Sequence, residues 1–534
     1  MKVALQRYKG YLLTAICSAL IMVLNEIKNK WWCFAWLCAG IIILFWKLDD
    51  IVGLHRDEAV FGLFAEMILD GARPLYGFFN NYTSPVHAYL LAAVIKIFGN
   101  SIWSLRCLGP VFTLITIVVI YDIVRQFSII RARWAACFLL TFPPLVMLSR
   151  LCGEVFALNP FLFFGTIWIY VRLCQSQKQY IKRTGFILAG FLMSLGVWNH
   201  IIFLPSAVSL IICYAIFMWP GFRQLLINSG VCSLGFLIGL IPRFISMWFF
   251  GNILFPKTPS VPPATLTSAL LNLLYTFSGD GLYARFSGGS TIPFAWEMLG
   301  FLIIVLVTFC FLRRSRIEKK LFWGIWVFLF FNFIGIWRIS PFGSIGSRVW
   351  LIPVWIIPVL LGIWMADLPG RKWWIIGFAV ISVNLLLLVA NYYIPNSLSH
   401  GVISPSVYIG GKYDNTWDYY DHRQIVKKLL QTDNECIFIS NINVFTFFYL
   451  TPEDQRHRIK LLWPLGSISS GSTPEKIKLY KQLSYKGPMP KSPLFVFYDN
   501  DVDYLDTFSK QWFYPMAAID KDINFPGFKV FRLK

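Results

Sequence analysis

The chain has 534 residues, of which 57% are hydrophobic and only 14% are charged. A soluble domain carries about 25% charged residues, so the composition excludes an ordinary soluble protein and favours an integral membrane protein. The formal net charge of +21 does not indicate a nucleic-acid partner, because its basic residues follow a pattern of membrane orientation that is described below.

The N-terminal segment contains an apolar stretch from Gly10 to Leu24 with basic residues on both sides. We interpret residues 1–30 as a cytoplasmic or interfacial segment that lies on the membrane or dips into it. The alternative is an uncleaved, signal-like span across the membrane.

Apolar runs recur along residues 31–391. A helix needs about 20 mostly apolar residues to cross a bilayer, and several runs reach this length only with their flanking residues. The pattern predicts a polytopic α-helical membrane protein with about eleven spans. They are Trp31 to Trp46, Ile102 to Ile120, Trp134 to Leu148, Val155 to Val171, Gly185 to Trp198, Ile201 to Trp219, Leu225 to Ile241, Met298 to Leu312, Leu321 to Trp337, Val349 to Met365 and Trp373 to Ala390.

Basic residues cluster in alternate loops between these runs, for example Arg131 with Arg133 and Arg313 with Arg314. Cytoplasmic loops carry such an excess of Lys and Arg. We therefore expect a multi-pass protein of the plasma (inner) membrane. The external segments are then a first loop (residues 47–101), a short second segment around Arg150 to Glu154 and a third around Asn199 and His200. A long fourth loop (251–296), a fifth loop from Arg338 to Arg348 and the C-terminal residues 392–534 follow.

Two of the external segments have a pattern of their own. In the first loop, Glu58 to Leu69 and Pro85 to Phe98 have apolar residues at helical spacing and are too short to span, so we expect helices along the outer membrane surface. In residues 392–534, helical patterns alternate with short strand patterns. This alternation predicts an extracytoplasmic α/β domain behind a catalytic membrane domain of residues 31–391.

Three carboxylates lie at the predicted outer ends of spans: Asp57 and Glu58 in the first loop, and Glu154 before the fourth span. Acids at a helix N-terminus also favour the helix dipole without any function. Their convergence at the lipid–water boundary suits transfer from a lipid-linked donor, in which a carboxylate deprotonates the acceptor as general base.

The same reaction needs a cation for the departing phosphate. Arg338 and Arg348 flank the fifth external loop and are the candidates for binding the donor phosphate, although interfacial snorkelling also explains them. Further candidates for substrate binding are His87, His200 and Tyr82. A lone histidine, however, is more often a structural hydrogen-bond partner.

The first loop and the segment around Glu154 resemble GT-C glycosyltransferases, closest to the bacterial protein O-mannosyltransferase-like and aminoarabinose-transferase-like branch. The resemblance covers roughly the first 175 residues. Beyond them only the architecture is shared. The residues that carry it are His55-Arg56-Asp57-Glu58-Ala59, Phe64 to Gly71, Pro74-Leu75-Tyr76, Ser84-Pro85, Phe98 to Ser101, Leu105-Arg106, and Ser149-Arg150 through Glu154 to Leu158.

The resemblance implies an inverting hexosyl- or pentosyltransferase that uses a polyprenyl-phosphate-linked sugar and an acceptor protein, lipid or cell-envelope glycan. Asp57 would be the base, and Glu58 would assist it or help to bind a metal or the acceptor. Glu154 stands where the family usually has Asp. The resemblance leaves open whether the enzyme uses a divalent cation, for which Asp57 and Glu154 would be the ligands. Thr83-Ser84-Pro85 replaces the Glu-Lys-Pro of some members, which argues against the aminoarabinose–lipid A reaction.

Two other functions remain open at the level of the sequence. A transporter or flippase of lipid-linked sugars would have broken helices and charges near mid-membrane, often in repeated halves. A non-catalytic assembly protein for surface polysaccharide would need no paired acids in its loops. The position of the acids at the outer boundary favours the transferase.

Overall fold

The computed structural model describes residues 31–50, 54–77, 83–174, 176–218, 221–250, parts of 265–273, 316–339, 351–368, 370–389, 422–439, 444–461, 474–485, 490, 492–498, 516–519 and 528–533. The chain divides into two units, Met1–Trp46 and Lys47–Lys534. The first unit contains one described helix, α1 (Trp31–Phe45), which carries no charged residue.

The second unit begins with two helices that the sequence places on the membrane surface, α2 (Arg56–Leu69) and α3 (Val86–Phe98). Among the described residues, eleven further helices precede the C-terminal part. They are α4 (Ile102–Arg106), α5 (Leu108–Arg125), α6 (Ile129–Thr141), α7 (Pro143–Ser149), α8 (Glu154–Ile169), α9 (Gln179–Asn199), α10 (Leu204–Phe217), α11 (Phe222–Phe250), α12 (Arg316–Ile339) and α13 (Leu351–Asp367), followed by α14 (Arg371–Leu388).

Three of the described helical segments are long and apolar enough to cross a membrane: Ile102–Arg125, Gln179–Asn199 and Phe222–Trp248. Seven shorter apolar helices accompany them, so the chain is a helical multi-pass membrane protein. The number of eleven spans stays a prediction, and the predicted span from Met298 to Leu312 lies outside the described residues.

One predicted span differs in the structure. The run from Trp134 to Leu148 is divided into α6 and α7 at Phe142, whose backbone is extended. Pro143 follows directly and disfavours the helical conformation of the residue before it. The break turns the chain toward the segment of Arg150 and Cys152, which contributes to the site described below.

Close helix packing rests on small residues in the second unit. Gly190 of α9 faces the backbone of Cys232, and Gly235 of α11 faces the backbone of Ile187, so that neither glycine has room for a Cβ atom. Small residues let membrane helices approach to backbone contact. The two helices α9 and α11 therefore form a closely packed pair.

The C-terminal part contains one mixed five-stranded sheet in the order β2-β1-β3-β5-β4. Strands β2, β1 and β3 are parallel, and β3, β5 and β4 are antiparallel. The strands are β1 (Ile437–Ile439), β2 (Ile459–Leu461), β3 (Leu494–Tyr498), β4 (Met516–Ile519) and β5 (Phe528–Leu533), and the helices are α15 (His422–Leu430), α16 (Val444–Leu450) and α17 (Pro474–Leu483).

This sheet and the first loop share one hydrophobic core. Leu63 and Phe64 of α2, Leu91 of α3, Phe447 of α16 and Leu479 of α17 belong to the same buried cluster. A Cβ atom on Gly62 would overlap the Tyr449 ring, so α2 and α16 are in close contact. The described C-terminal residues thus pack as a continuation of the surface helices.

An ion pair and hydrogen bonds stabilise the contact between α2 and the C-terminal part. Arg456 binds Glu66 of α2 in bidentate fashion, with Nη–Oε distances of 2.6 and 2.9 Å, and lies over the Phe448 ring. Asn100 contacts both Glu66 and the Tyr449 hydroxyl. A bidentate arginine–carboxylate pair fixes orientation as well as distance. The C-terminal part of the chain therefore fixes the position of the second half of α2.

Candidate active site

The N-terminus of α2 carries the two acids that the sequence singled out. The Asp57 amide donates to Nδ1 of His55 at 3.1 Å, and the His55 amide donates to Oε2 of Glu58 at 3.1 Å. These bonds satisfy N–H groups that have no partner within the helix. They fix the first turn of α2 and give its two carboxylates different surroundings.

Glu58 faces inward and is fully engaged. Its carboxylate accepts from Nε and Nη2 of Arg106 at 2.9 and 2.7 Å and from the Cys152 amide at 2.8 Å. The Arg106 and Glu58 side chains are only 1% and 3% exposed. A buried charge needs such a partner. The pair therefore joins α2, α4 and the segment after α7 into one rigid unit.

Asp57 is turned the other way, with 26% of its side chain exposed. Nε of Arg56 donates to its Oδ1 at 3.3 Å, and Nδ1 of His55 lies 3.8 Å from its Oδ2. A carboxylate that solvent reaches, on a helix end held by buried contacts, can meet a substrate in a fixed position. Asp57 thus has the exposure that a general base needs.

Arg56, next to Asp57, has a buried hydrogen-bond donor. Its Nη1 atom is buried and has no hydrogen-bond partner within the described part of the protein. Buried donors without partners are rare, and each calls for an explanation. A guanidinium group also matches the geometry of phosphate and other oxygen-rich ligands.

His87 lies at the start of α3 and contacts Cys152, whose amide donates to Glu58. It is 1% exposed, its Nε2 lies 3.5 Å from Sγ of Cys152, and Phe61 contacts its ring edge to face. Burial lowers the pKa of His87 to about 4, so the ring is neutral at neutral pH. This surrounding gives His87 a packing contact; the substrate-binding role expected of it stays a prediction.

The neutral His87 makes a testable contribution to stability. Because its folded pKa lies below the ordinary value of 6.5, it stabilises the fold above pH 6.5, and up to about 3 kcal/mol is lost as the pH falls toward 4. We expect the melting temperature of the wild type to fall more steeply from pH 7 to pH 4.5 than that of His87→Gln.

The control for this titration is His457→Gln, at an exposed histidine of the C-terminal part. It should reproduce the wild-type dependence on pH. Parallel melting curves for the wild type and His87→Gln would show that His87 does not titrate in this range.

His200 follows α9 and connects to the first loop. Its Nδ1 accepts from the Ile202 amide at 3.1 Å, and its backbone pairs with Thr83. Next to it, the Ser84 amide donates to the Asn199 carbonyl at 3.2 Å. The Asn199 amide group in turn donates to Oδ1 of buried Asn159 at 2.9 Å. These contacts hold the loop before α3 against the end of α9.

Several predicted site residues lie outside the described residues. Glu154 begins α8, but its side chain is outside them, as is that of Arg338 near the end of α12; Arg348 and Tyr82 are outside entirely. The predicted convergence of Glu154 and the two arginines with Asp57 therefore stays a prediction.

Two arginines were not singled out by sequence reasoning, although a signal for both existed. Arg106 interrupts the apolar run from Ile102 to Ile120 and is the partner of Glu58. Arg243 lies in the C-terminal third of α11 and is 6% exposed. A lone charge inside an apolar run is costly and requires either a partner or a function.

A metal site was left open by the sequence. Among the described residues, no group of three or more His, Cys, Asp or Glu side chains is arranged to hold a metal ion. Asp57 contacts His55 and Arg56, and a guanidinium beside a carboxylate opposes binding of a cation. Binding of a divalent cation by Asp57 and Glu154 stays a prediction, because the side chain of Glu154 lies outside the described residues.

Comparison with known proteins shows which families and folds the chain resembles. Residues 82–248 match the family model for dolichyl-phosphate-mannose-protein mannosyltransferase. No curated protein sequence matches the chain. Among solved structures, ArnT from Cupriavidus metallidurans bound to undecaprenyl phosphate superposes with a TM-score of 0.54 and 16% identity, over 94% of this chain and 98% of that one.

An oligosaccharyltransferase from Archaeoglobus fulgidus in the apo form is also similar, with a TM-score of 0.41 and 14% identity over 90% of this chain and 71% of that one. The assignment of the fold rests on the likeness to ArnT. Residues 82–248 therefore resemble a mannosyltransferase family, and the chain as a whole shares the fold of ArnT.

Proposed function

We propose that the chain is a glycosyltransferase that moves a sugar from a polyprenyl-phosphate-linked donor to an acceptor on the external side of the membrane. The observation that carries the proposal is the pair of adjacent acids on α2. Glu58 is buried and paired with Arg106, whereas Asp57 is partly exposed beside Arg56. One acid thus fixes the helix and the other remains accessible to substrate.

The reaction divides between these groups as follows. Asp57 takes the proton of an acceptor hydroxyl as that oxygen attacks the anomeric carbon of the donor sugar. The bond from that carbon to the phosphate oxygen breaks, and the polyprenyl phosphate leaves with the electron pair. Attack from the face opposite the leaving group inverts the configuration at the anomeric carbon.

The departing phosphate needs positive charge at the moment of bond cleavage. Arg338 and Arg348 are the candidates from the sequence, and Arg243 is a described cation inside an apolar helix. The likeness to ArnT, which was solved with undecaprenyl phosphate, supports a donor of the polyprenyl-phosphate class. The alternation of basic loops supports an active site on the external face.

The test uses the full-length protein in lipid nanodiscs with radiolabelled polyprenyl-phosphate sugars and a cell-envelope acceptor fraction. We expect label to pass from one of these donors to an acceptor. No label should pass from the corresponding nucleotide sugars.

The rival functions give different outcomes in the same system. A flippase in sealed vesicles would move the intact donor lipid across the bilayer and form no glycosylated product. An assembly protein would do neither. Either outcome, obtained with folded protein, contradicts the proposal.

A further inference from the structure

Tyr449 of α16 contacts both α2 and the segment that leads into α4. A Cβ atom on Gly62, at the middle of α2, would overlap the Tyr449 ring and the side chain of Leu105 in α4. The Tyr449 hydroxyl donates to Oδ1 of Asn100, two residues before α4 begins. Tyr449 and Leu105 are both buried. One side chain of the C-terminal part is therefore packed against two segments of the first 106 residues.

The same two segments share an ion pair with the C-terminal part. Arg456, in a short 3₁₀-helix (Glu453–Arg458) after α16, binds the Glu66 carboxylate at 2.6 and 2.9 Å. The side-chain amide of Asn100 donates to the same carboxylate. The side chains of Arg456 and Glu66 are only 16% and 20% exposed. Tyr449, Arg456, Glu66 and Asn100 thus form one polar cluster, called the Glu66 cluster below.

Two connections therefore join α2 to the segment that ends with α4. One is the pair of Glu58 with Arg106, and the other is the contact of Glu66 with Asn100. Glu58 and Glu66 are eight residues apart, which corresponds to about 12 Å along the helix axis. A single connection would let α2 tilt or turn about it, whereas two connections at this separation prevent both motions. The C-terminal part completes the second connection, because it contributes two of the four side chains of the Glu66 cluster.

We propose that Tyr449 and Arg456 are positioning residues for the transfer reaction, because they hold α2 in the orientation that presents Asp57 to the acceptor. The inference rests on the proposed function, in which Asp57 is the base. It gives the C-terminal part a role in the active site that acts through the Glu66 cluster and needs no contact with a substrate.

The orientation of α2 matters because the bonds at its first turn depend on direction. Arg106 binds Glu58 through two hydrogen bonds, of 2.9 and 2.7 Å, and such a bidentate pair fixes an angle as well as a distance. A rotation of α2 would weaken one of these bonds and move Asp57, the preceding residue. A misplacement of about 1 Å can lower a catalytic rate by about 10²-fold. The Glu66 cluster thus acts on catalysis through the first turn of α2.

A second ion pair between the C-terminal part and the first loop provides a matched control. Arg423 donates to Asp50 at 2.9 Å, but the two side chains are 39% and 54% exposed. Asp50 lies before α2 and outside the Glu66 cluster. Removal of this pair takes away the same kind of contact without touching the proposed positioning residues.

The kinetic experiment compares variants in nanodiscs at saturating donor and acceptor, with rates expressed per folded molecule. Arg456→Leu should transfer sugar about 10- to 10²-fold more slowly than the wild type, and the control Arg423→Leu should transfer it at the wild-type rate. Tyr449→Phe removes only a hydroxyl, retains the packed ring, and should be about two- to tenfold slower, the loss of one hydrogen bond. Wild-type rates for Arg456→Leu or Tyr449→Phe would overturn the proposal.

A double-variant cycle separates positioning from a general loss of stability. In the Asp57→Asn background, Arg456→Leu should lower the residual rate by less than about twofold, because the base that it misplaces is already absent. A loss by the same factor in both backgrounds would assign Arg456 a purely structural role and overturn the proposal.

Hydrogen exchange provides a readout that does not depend on activity. The amides of His55, Asp57 and Cys152 donate to side chains at the first turn of α2. In Arg456→Leu, peptides that contain these amides should exchange about tenfold faster than in the wild type, and the control variant should match the wild type. Faster exchange confined to the residues around Glu66 would show that the first turn is independent of the Glu66 cluster and would overturn the proposal.

Failure of this proposal and failure of the proposed function give different results. Faster exchange at the first turn of α2 in Arg456→Leu, in a protein that transfers no sugar from any polyprenyl-phosphate donor, would retain the link through α2 and reject the transferase. Sugar transfer by Arg456→Leu at the wild-type rate would do the reverse.

Discussion

Replacing Asp57 by asparagine should lower the rate of sugar transfer by about 10²- to 10⁴-fold, the range that a positioned general base contributes, and so leave a small residual activity. Asparagine keeps the size of the side chain, and the capping bonds of α2 use the Asp57 amide and the His55 and Glu58 groups. The variant should therefore fold and bind the donor as the wild type does. Initial rates at saturating donor and acceptor measure the effect.

The matched control is Asp70→Asn, at an exposed acid directly after the last residue of α2. It removes the same charge from the same helix, far from the first turn, and should transfer sugar at the wild-type rate. If Asp57→Asn retained more than about a tenth of the wild-type rate, a loss well below that of a general base, Asp57 would not be the base, and another group would have to accept the proton.

Replacing Arg106 by leucine should destabilise the protein by about 3–5 kcal/mol, because it leaves the buried Glu58 carboxylate without its charged partner. The two side chains are 1% and 3% exposed, so water cannot replace Arg106 as the partner of the Glu58 carboxylate. The double variant Arg106→Leu/Glu58→Gln removes the uncompensated charge and should recover part of the loss. The free energy of unfolding in detergent, with melting temperature as a second measure, gives the comparison.

A second ion pair provides the control for this prediction. Arg423 and Asp50 are joined at 2.9 Å, but their side chains are 39% and 54% exposed. Exposed pairs contribute about 0–1 kcal/mol, so Arg423→Gln should have little effect. Equal stability of Arg106→Leu and Arg423→Gln would show that Glu58 is not held as the structure indicates.

The sequence identified the first turn of α2 but not the different surroundings of its two acids. Asp57 and Glu58 are adjacent, and successive residues of a helix point about 100° apart. Which of them faces inward depends on Arg106 and on the Cys152 amide. Both come from segments far along the chain, and no local pattern specifies their position.

Arg106 itself could have been recognised. It is a single charge within an apolar run, and the cost of burying such a charge predicts an acidic partner. The pattern does not say which acid is the partner. By contrast, the unpaired Nη1 donor of Arg56, which has no hydrogen-bond partner among the described residues, has no counterpart in the sequence, because a missing hydrogen bond is a property of three-dimensional contacts alone.

The fold shows the same division between local and distant effects. The helical spacing of Glu58 to Leu69 and of Pro85 to Phe98 agrees with α2 and α3, and Pro143 explains the break between α6 and α7. The sequence of α16 is strongly apolar, which is typical of a buried helix. Its partner α2, nearly four hundred residues earlier in the chain, could be identified only from the packing of Tyr449 against Gly62.

The central claim is that a sugar leaves a polyprenyl-phosphate donor on this protein. Mass spectrometry of a single reaction in nanodiscs tests it most directly, by quantifying free polyprenyl monophosphate and glycosylated acceptor together. The account predicts one monophosphate for each sugar transferred by the wild type, and at least about 10²-fold less of both products from Asp57→Asn in the same time. Donor lipid that remains intact with the folded wild-type protein, or monophosphate released equally by Asp57→Asn, would contradict it.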